Sequence, residues 1–426
     1  MIENISNRGW LIKIFKMNSL NILDNDNVWE GGNAKEITFI VTKDCQLACK
    51  YCYLVGKNTK ERMSWDIAKK TIDYILDNEF DEIFNQKSVV WDFIGGEPFI
   101  EIDLIDKICD YIKTELYRRN HHWFNSYRFS FATNGINYHT EKVQKYIKKN
   151  IEHLSVGITI DGTEILHDLN RVYKESGKGS YKDVVKNIPL WLSQFPNGAT
   201  KVTICSENIS FIKDSVLHLF ELGIHDVNIN CVFENVWKEG DDIRFEEQLV
   251  LLSDAIIEKE LYKHNRCSFF WEHMGKPLDC MAQNENWCGA GRMMAVDAAG
   301  NFYPCTRFAQ YSLRNKRAWI IGNVNDGIDR NKLRPFLTLD RCTQSTQECI
   351  NCEVAEGCAW CQGENYDAAE TPTAFQRATA ICKMHKARVR ANNYYWNKLY
   401  RKLELEGVEK NESNKYIQKP SSVEIC

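Results

Sequence analysis

The sequence predicts an α/β protein built from parallel β/α units, arranged as a partial barrel or an open sheet, followed by a cysteine-rich region. Six short apolar runs alternate with amphipathic helical patterns up to about residue 267, which is typical of parallel β/α units. Past Ser268 the alternation stops, and ten of the 17 cysteines fall within residues 267–382. Because such a region has few long periodic segments to form a core, we expect metal to hold it together.

Each predicted strand is a short run of apolar and β-branched residues, and each predicted helix has apolar residues three or four positions apart. The predicted strands cover residues 37–41, 89–94, 127–132, 154–160, 202–205 and 227–233. The predicted helices lie near residues 64–76, 104–112, 140–149, 181–195, 209–222 and 245–262. We also expect a short strand at 10–15 and an amphipathic helix over 384–405.

The change in pattern along the chain predicts four parts. They are an N-terminal extension (1–35), the α/β unit (36–267), the cysteine-rich domain (268–390), and a C-terminal helix with a polar tail (391–426). Only 35 residues precede the α/β unit, so we expect no winged-helix module there.

The composition excludes several classes of protein. The 426 residues carry a net charge of −4, with 44% apolar and 26% charged residues, which favours a globular core and offers no basic footprint for duplex nucleic acid. No apolar run reaches the roughly 18 residues of a membrane span, and the polar start is not a signal peptide. We therefore expect a cytoplasmic protein without nucleic acid or membrane partners, in which cysteines bind metal rather than form disulfides.

Three cysteines directly follow the first predicted strand. Cys45, Cys49 and Cys52 have the spacing C-x3-C-x2-C, and Tyr51 precedes the last of them. Loops at the carboxyl ends of parallel strands carry the active sites of α/β proteins. Three thiolates can hold three irons of a cubane cluster and leave the fourth iron open, whereas a structural zinc site would need a ligand from elsewhere. The position of the loop favours the iron–sulfur cluster.

The segment Cys45-Gln-Leu-Ala-Cys49-Lys-Tyr51-Cys52 resembles the signature of the radical S-adenosylmethionine (SAM) superfamily. The resemblance covers about residues 36–235 and implies a partial (β/α)6 barrel. It also implies that the open iron chelates SAM, and that an electron cleaves SAM to methionine and a 5′-deoxyadenosyl radical. That radical abstracts a hydrogen atom from the substrate, while the protein orients the reactants and excludes water.

Motifs at the ends of the next three strands resemble the SAM-binding elements of this superfamily. Gly95-Gly96-Glu97-Pro98 allows close backbone approach, and Glu97 or nearby carbonyls can accept from the SAM ammonium. In relatives an arginine such as Arg171 pairs with the SAM carboxylate. Each motif can instead be an ordinary turn, and Arg171 a surface residue. The expected cofactor-binding residues are Tyr51, Gly95, Gly96, Glu97, Pro98, Thr133, Asn134, Asp161 and Arg171.

The cysteine-rich region resembles the SPASM extension of peptide-modifying radical SAM enzymes, which carries two auxiliary [4Fe–4S] clusters. The resemblance implies a distal cluster on Cys349, Cys352, Cys358 and Cys382, and a nearer cluster on Cys288, Cys305, Cys361 and, as a candidate, Cys280. The spacing between Cys358 and Cys361 departs from that of many relatives, so Cys342 is an alternative ligand. Two structural zinc sites are the alternative to iron. The expected cofactors are SAM and three [4Fe–4S] clusters.

A narrower resemblance lies in residues 29–43, 52–57, 91–98 and 358–365. These segments are similar to radical SAM maturases of Cys-x-x-x repeat peptides, the ranthipeptide or freyrasin kind. Such enzymes join a cysteine sulfur to a non-α carbon, typically the β-carbon of Asp, as a thioether. The resemblance implies a ribosomal precursor peptide with repeated Cys motifs as substrate, and flavodoxin or ferredoxin as electron donor.

Two other functions stay open. A formylglycine-generating sulfatase maturase shares both cluster regions, but in relatives it uses an Asp directly after the Cys of the Gly-x4-Cys motif, where this chain has Thr306. A non-catalytic zinc-binding module would be colourless, unlike a brown iron–sulfur protein.

If the carbon that accepts the thioether belongs to an acidic residue, we expect basic side chains near the barrel mouth to bind that residue. Candidates, each of which can also be structural, are Arg62, Arg171, Arg292 and Arg307.

Overall fold

The computed structural model describes residues 28–29, 32–272, 274–279, 288–371 and 376–406. Two sequence predictions lie outside the described residues: the strand at 10–15 and the candidate ligand Cys280. Within the described ranges, parallel strands and helices alternate first, and a region of short elements follows.

Six parallel strands form the first unit, close to their predicted positions. They are β1 (Ala34–Thr42), β2 (Ser88–Gly95), β3 (Tyr127–Thr133), β4 (Leu154–Ile158), β5 (Ala199–Ile204) and β6 (Asp226–Cys231). Strands β1 to β4 pair in order in one sheet, and β5, β6 and the short β7 (Arg266–Cys267) pair in a second.

A side chain joins the two sheets. The hydroxyl of Thr200 on β5 donates to the carbonyl of Ile158 at 2.7 Å and accepts from the N–H of Ile160 at 3.1 Å. Strand β4 ends at Ile158 rather than at the predicted residue 160. The Thr159 N–H still donates to the Thr133 carbonyl of β3 at 2.9 Å, whereas the Ile160 N–H donates to the Thr200 side chain instead of a strand.

The two faces of the first sheet differ in polarity. On β3, Tyr127, Phe129 and Phe131 are buried, whereas Arg128 and Ser130 on the opposite face are partly accessible. This alternation places the aromatic core between the sheet and its helices. The other face lines a more polar barrel interior, above which the carboxyl ends of the strands meet.

The helices of this unit pack apolar faces against the sheet. They are α1 (Trp65–Asp77), α2 (Ile102–Arg118), α3 (Glu141–Asn150), α4 (Glu164–Asn170), α5 (Tyr181–Val185), α6 (Ile188–Gln194), α7 (Ile212–Glu221) and α8 (Asp241–Glu258). The Ser64 side chain caps α1 by accepting from the N–H of Ile67 at 3.2 Å.

One helix prediction is wrong in detail. The pattern at 181–195 predicts a single helix, but the structure has two, α5 and α6, with Pro189 in the first turn of α6. Proline has no N–H to donate and is tolerated in the first turn, so it marks a helix start rather than an interior position. The short helix α4 was not predicted because seven residues give too little periodicity.

The cysteine-rich region continues the barrel sheet. Its strands are β8 (Met294–Val296), β9 (Asn301–Tyr303), β10 (Gly322–Asn323) and β11 (Gly327–Ile328). Strand β8 pairs in parallel with β1, and β9 to β11 add antiparallel strands beyond it. This pairing attaches the cysteine-rich region to the first barrel strand.

Five helices complete the described chain. They are α9 (Arg330–Thr338), α10 (Arg341–Gln344), α11 (Gln347–Ile350), α12 (Gln362–Ala368) and α13 (Cys382–Leu405). The last packs along α8, where Lys398 and Asp254 are 2.7 Å apart and Arg390 and Glu246 are 2.6 Å apart. This helix matches the predicted closing helix and ties the second region to the barrel.

Candidate functional site

The first three cysteines lie in the loop after β1, here called the cluster loop (residues 43–57). Cys45 is buried, Cys49 and Cys52 are partly exposed, and all three are free. The N–H of Leu47 donates to Cys45 Sγ at 3.4 Å, and the N–H of Cys52 donates to the Cys49 carbonyl at 3.2 Å. Burial raises the pKa of Cys45 to about 11 and also raises that of Cys49. A bound iron would supply the positive charge that stabilises the thiolates.

The Gly95–Gly96 turn touches the backbone of this loop. A Cβ added to Gly96 would lie 2.1 Å from the Asp44 carbonyl oxygen and 2.9 Å from the Cys45 Cβ. The N–H of Gly96 donates to the Thr42 carbonyl, and that of Glu97 donates to the Asp44 carbonyl, both at 2.9 Å. Since any side chain at Gly96 would displace Cys45, the turn fixes the first thiol.

The carboxylate of Glu97 joins the ends of β2 and β3. It is buried and accepts from the Thr133 hydroxyl at 2.6 Å, the Asn134 N–H at 2.7 Å and the Phe99 N–H at 3.1 Å. Burial raises the pKa of Glu97, and these donors oppose the rise. The Asn134 amide in turn donates to the Gln46 side chain at 3.0 Å. Glu97 thus holds Thr133 and Asn134 against the cluster loop.

Tyr51, Asp161 and Arg171 form a buried group beside Cys49. The Tyr51 hydroxyl donates to Asp161 Oδ2 at 2.5 Å and accepts from Arg171 Nη1 at 3.1 Å. Burial raises the pKa of Asp161 to about 6, while Arg171 opposes the rise. Asp161 Oδ1 and Arg171 Nε are buried and have no hydrogen-bond partner in the described chain. These free atoms fit a polar ligand such as the amino-acid part of SAM.

The segment that carries Arg171 runs alongside the cluster loop. The N–H of Ala48 donates to the Val172 carbonyl at 2.8 Å, and the N–H of Lys50 donates to the Asn170 carbonyl at 3.0 Å. This pairing keeps a buried guanidinium next to the Cys49 thiol, since Arg171 and Cys49 influence each other's pKa. Arg171 is 6% exposed and is therefore not a surface residue.

Three of the predicted ligands of the nearer auxiliary cluster are buried. Cys288, Cys305 and Cys361 are each free, and the loops of the first two are joined by a bond from the Gly291 N–H to the Pro304 carbonyl at 3.1 Å. Burial raises the pKa of Cys305 to about 12, and Cys361 adds to the rise. Cys305 and Cys361 therefore lie within electrostatic range of each other.

The four predicted ligands of the distal cluster also interact. Burial raises the pKa of Cys358, and the neighbouring thiols of Cys382 and Cys349 raise it further. Burial and the thiols of Cys349 and Cys352 likewise raise the pKa of Cys382. Two cationic side chains act on this group, since Arg377 and Arg341 both oppose the rise in the pKa of Cys358. They also lie 5.9 and 5.8 Å from the centre of the Trp360 ring. The set suits four thiolates whose negative charge needs compensation. Cys342, the alternative ligand, is disulfide-bonded in the structure.

Arg307 connects the cluster loop to the second region. Its guanidinium lies 4.9 Å from the centre of the Tyr53 ring and donates to Glu234 Oε1 at 3.1 Å and Glu364 Oε2 at 3.3 Å. Sequence analysis singled out Arg307 but missed its partners. Tyr53 and Glu364 lie next to cysteine motifs, and this position in the sequence could have indicated that they belong to the site. Glu234 has no local signal, because it lies 73 residues from Arg307.

A further possible metal group, Glu79, His121 and His122, is better explained as a carboxylate that faces a neutral imidazole, because burial lowers the pKa of His121 to about 4. Their ligand atoms lie within 4.8 Å of one another. However, His121 Nδ1 accepts from the Trp123 N–H at 3.2 Å, so the ring proton belongs on Nε2, which faces Glu79 Oε2 at 3.2 Å. That nitrogen has no lone pair to offer a metal.

No helix among the described residues is long and apolar enough to span a bilayer.

Comparisons with known proteins identify relatives of this chain. An uncharacterised protein of Methanocaldococcus jannaschii is 29% identical over 306 residues, covering 70% of this chain and 91% of that protein. The cysteine-type anaerobic sulfatase-maturating enzyme of Clostridium novyi is 28% identical over 183 residues, covering 42% of this chain and 46% of that enzyme.

Solved structures share the fold. Native anSMEcpe with bound AdoMet and Kp18Cys peptide gives a TM-score of 0.61 at 17% identity, covering 85% of this chain and 99% of that one. SuiB of Streptococcus suis bound to precursor peptide SuiA gives 0.53 at 13% identity, covering 90% and 82%. These likenesses confirm the predicted fold class, a radical SAM barrel followed by a cysteine-rich SPASM-type region.

The match to a family model identifies the barrel. Residues 39–230 match the model of the Radical SAM superfamily, a range that includes the cluster loop, Gly95–Gly96 and Arg171. The narrower resemblance to thioether-forming maturases stays a prediction. The chain therefore contains a radical SAM domain, which indicates an iron–sulfur enzyme that binds SAM.

Proposed function

We propose that this protein is a peptide maturase that joins a cysteine sulfur to a carbon, with the β-carbon of Asp as the expected acceptor, in a precursor peptide with repeated Cys motifs. The observation that carries the proposal is the contact of Tyr53, in the cluster loop, with Arg307, which lies two residues after Cys305 in the cysteine-rich region. Crosslinking requires abstraction of a hydrogen atom at the SAM-binding cluster and transfer of an electron to a second cluster. Two neighbouring groups of cysteines would bind these two clusters.

The buried group at Tyr51 would bind the amino-acid part of SAM. When bound to the cluster on Cys45, Cys49 and Cys52, SAM supplies the 5′-deoxyadenosyl radical. In that bound state Arg171 would pair with the SAM carboxylate, and the free Oδ1 of Asp161 would accept from a polar group of the cofactor. Because Glu97 already accepts from three protein donors, backbone carbonyls of the Gly95–Gly96 turn are the better acceptors for the SAM ammonium.

The proposed reaction removes two hydrogens per crosslink. A hydrogen atom leaves the acceptor carbon, the peptide thiol loses its proton, and one electron leaves as the carbon–sulfur bond forms. Cys288, Cys305 and Cys361 would hold the cluster that takes up this electron, and the four distal cysteines would hold a second relay cluster. We infer three [4Fe–4S] clusters in total and a flavodoxin or ferredoxin as the external electron donor.

The peptide substrate is supported by the relatives. The anSMEcpe and SuiB structures hold peptides, and their folds cover most of this chain. The Clostridium novyi relative, a sulfatase-maturating enzyme, favours a second candidate, formylglycine formation on a sulfatase. Against it, Thr306 follows Cys305, and its hydroxyl hydrogen-bonds to Tyr53. The two carboxylates near that position, Glu234 and Glu364, are both bound to Arg307.

The test is co-expression with a peptide that contains Cys-x3-Asp repeats. Mass spectrometry should show a loss of two hydrogens per crosslink, and each modified cysteine should resist thiol alkylation. A sulfatase-type peptide should be unchanged. A product with every cysteine still open to alkylation would exclude the thioether, and formylglycine in the second peptide would favour the alternative. Brown colour and bound iron distinguish either enzyme from a zinc-binding module.

A further inference from the structure

We propose that a cavity between the end of β6 and helix α12 binds a backbone segment of the peptide substrate, with the Asn365 side-chain amide donating to a peptide carbonyl. The inference rests on the proposed function for the identity of the ligand. The cavity has a volume of about 300 Å³. Its polar lining residues are Asn235, Glu364, Asn365, Gln376, Arg377 and Thr379.

The cavity lies on the functional side of the barrel. Asn235 belongs to the loop after β6, at the carboxyl ends of the strands where barrel enzymes bind substrates. Glu364 and Asn365 come from α12, which begins directly after Cys361. The cavity is therefore formed jointly by the radical SAM barrel and the cysteine-rich region.

Asn365 supplies a donor without a partner. Its side chain belongs to a residue only 2% exposed, and its Oδ1 accepts from the Ala378 N–H at 2.9 Å, which fixes the orientation of the amide. Its Nδ2 is buried and has no hydrogen-bond partner in the described structure. Buried donors are nearly always satisfied in native proteins, so a ligand with an acceptor atom is expected here.

The two charged side chains of the wall also have contacts outside the cavity. Glu364 accepts from Arg307 at 3.3 Å. Arg377 donates to the Ser345 hydroxyl at 3.0 Å, lies over the Trp360 ring and lowers the pKa of the Cys358 thiol. The other polar groups of the wall are neutral amides and a hydroxyl. The remaining wall residues are small: Ala368, Ala369, Ala378 and Ala380. Neutral amides beside methyl groups suit a peptide main chain better than a charged metabolite.

A peptide seated there would be linked to the cluster loop. Glu364 borders the cavity on one side and binds Arg307 on the other. Arg307 lies over the ring of Tyr53, the residue after Cys52. One ion pair and one ring contact therefore connect the cavity wall to the residue that follows Cys52.

The test measures the affinity of the reconstituted holoenzyme for a fluorescently labelled synthetic peptide with Cys-x3-Asp repeats, by anisotropy. Asn365→Asp keeps the acceptor for Ala378 but lacks the Nδ2 donor. Ala368→Trp fills the cavity from an exposed position at the end of α12, so it should fold even if the first variant does not. We expect each variant to weaken binding about tenfold or more with wild-type iron content. The size control, Ala368→Ser, should bind like wild type.

The outcomes separate the two proposals. If both variants bind the peptide as tightly as the wild type while crosslinks still form, the cavity proposal is wrong and the proposed function stands. If the variants weaken binding but no crosslink forms in the wild type, the cavity binds peptide and the proposed function is wrong. A wild-type holoenzyme that does not bind this peptide at all overturns both.

Discussion

The guanidinium of Arg307 lies 4.9 Å from the centre of the Tyr53 ring, and Tyr53 directly follows Cys52 in the chain. The same guanidinium binds Glu234 and Glu364 and interacts with the Cys361 thiol. One buried positive charge therefore stands between the cluster loop and a predicted ligand of the nearer auxiliary cluster. Because nearby charge tunes the reduction potential of an iron–sulfur cluster, we expect Arg307 to affect the potential of a cluster bound at Cys361.

Replacing Arg307 with Met should lower the reduction potential of the nearer auxiliary cluster. Removing a positive charge makes reduction less favourable, by on the order of 60 mV, or about 1.4 kcal/mol for one electron. A redox titration followed by electron paramagnetic resonance measures the shift. Arg307→Lys, which keeps the charge, should shift the potential less. Arg314→Met is the matched control, since Arg314 is 3.6 Å from the same Glu234 but 41% exposed. Equal shifts in all three variants would contradict the role of Arg307.

Replacing Arg171 with Ala should weaken SAM binding by roughly 1.5–3 kcal/mol, the value of a charge-assisted bidentate pair. The free Nε of the buried guanidinium is the reason to expect a ligand contact. Equilibrium binding of SAM to the iron-loaded protein measures it. Tyr51→Phe removes a hydroxyl bonded to Arg171 but keeps the charge, so its effect should be smaller. Unchanged affinity with lower thermal stability would establish a structural role instead.

Replacing Gly96 with Ala should disturb the first cluster site. The added Cβ would lie 2.1 Å from the Asp44 carbonyl oxygen, so the backbone beside Cys45 must move. We expect lower iron content and loss of SAM cleavage. Gly157→Ala in β4 is the control, because its added Cβ meets the Ala199 carbonyl at 3.4 Å, an ordinary contact. Normal iron loading in the Gly96 variant would show that the close approach does not position the loop.

The barrel strands could be predicted because each is a run of apolar residues long enough to show its period. The region after β7 could not, because β8 to β11 have two or three residues each and are defined by their pairing with β1 and one another. The cluster loop could also be predicted, because its three cysteines lie close together in the sequence.

The partners of the predicted site residues could not be predicted. Glu97 was predicted as one of two alternative acceptors for the SAM ammonium, and no sequence pattern indicated that its carboxylate accepts from Thr133 and Asn134, which lie more than 30 residues away in the chain. The Arg307–Glu234 pair is similar. Such contacts depend on how two loops meet in space, and a single sequence carries no periodic signal for them.

His167 should make the protein less stable in acid. Its Nδ1 accepts from the Asp161 N–H at 3.3 Å and its Nε2 bonds to the Ser180 hydroxyl at 3.0 Å, so the neutral ring is required. Burial lowers its pKa to about 2. A lowered pKa means that this stability is complete above pH 6.5 and is lost as the pH falls below it. We expect a loss of about 2 kcal/mol between pH 7 and pH 5. His167→Gln should show a shallower pH dependence of unfolding in that window, and an identical slope would contradict the assignment.

Replacing Cys45, Cys49 and Cys52 together with Ala should remove one cluster and leave the others. The second region holds its own thiols on separate loops, so iron should fall by about four of roughly twelve atoms per chain. Formation of 5′-deoxyadenosine under a strong reductant should stop, because SAM has no open iron to bind. Cys109→Ala is the control: this thiol is buried beside the Tyr146 hydroxyl at 3.2 Å, on α2 and away from the cluster loop. It should keep full iron content and SAM cleavage. A triple variant that still produces 5′-deoxyadenosine would refute the assignment of the cluster loop as the cleavage site.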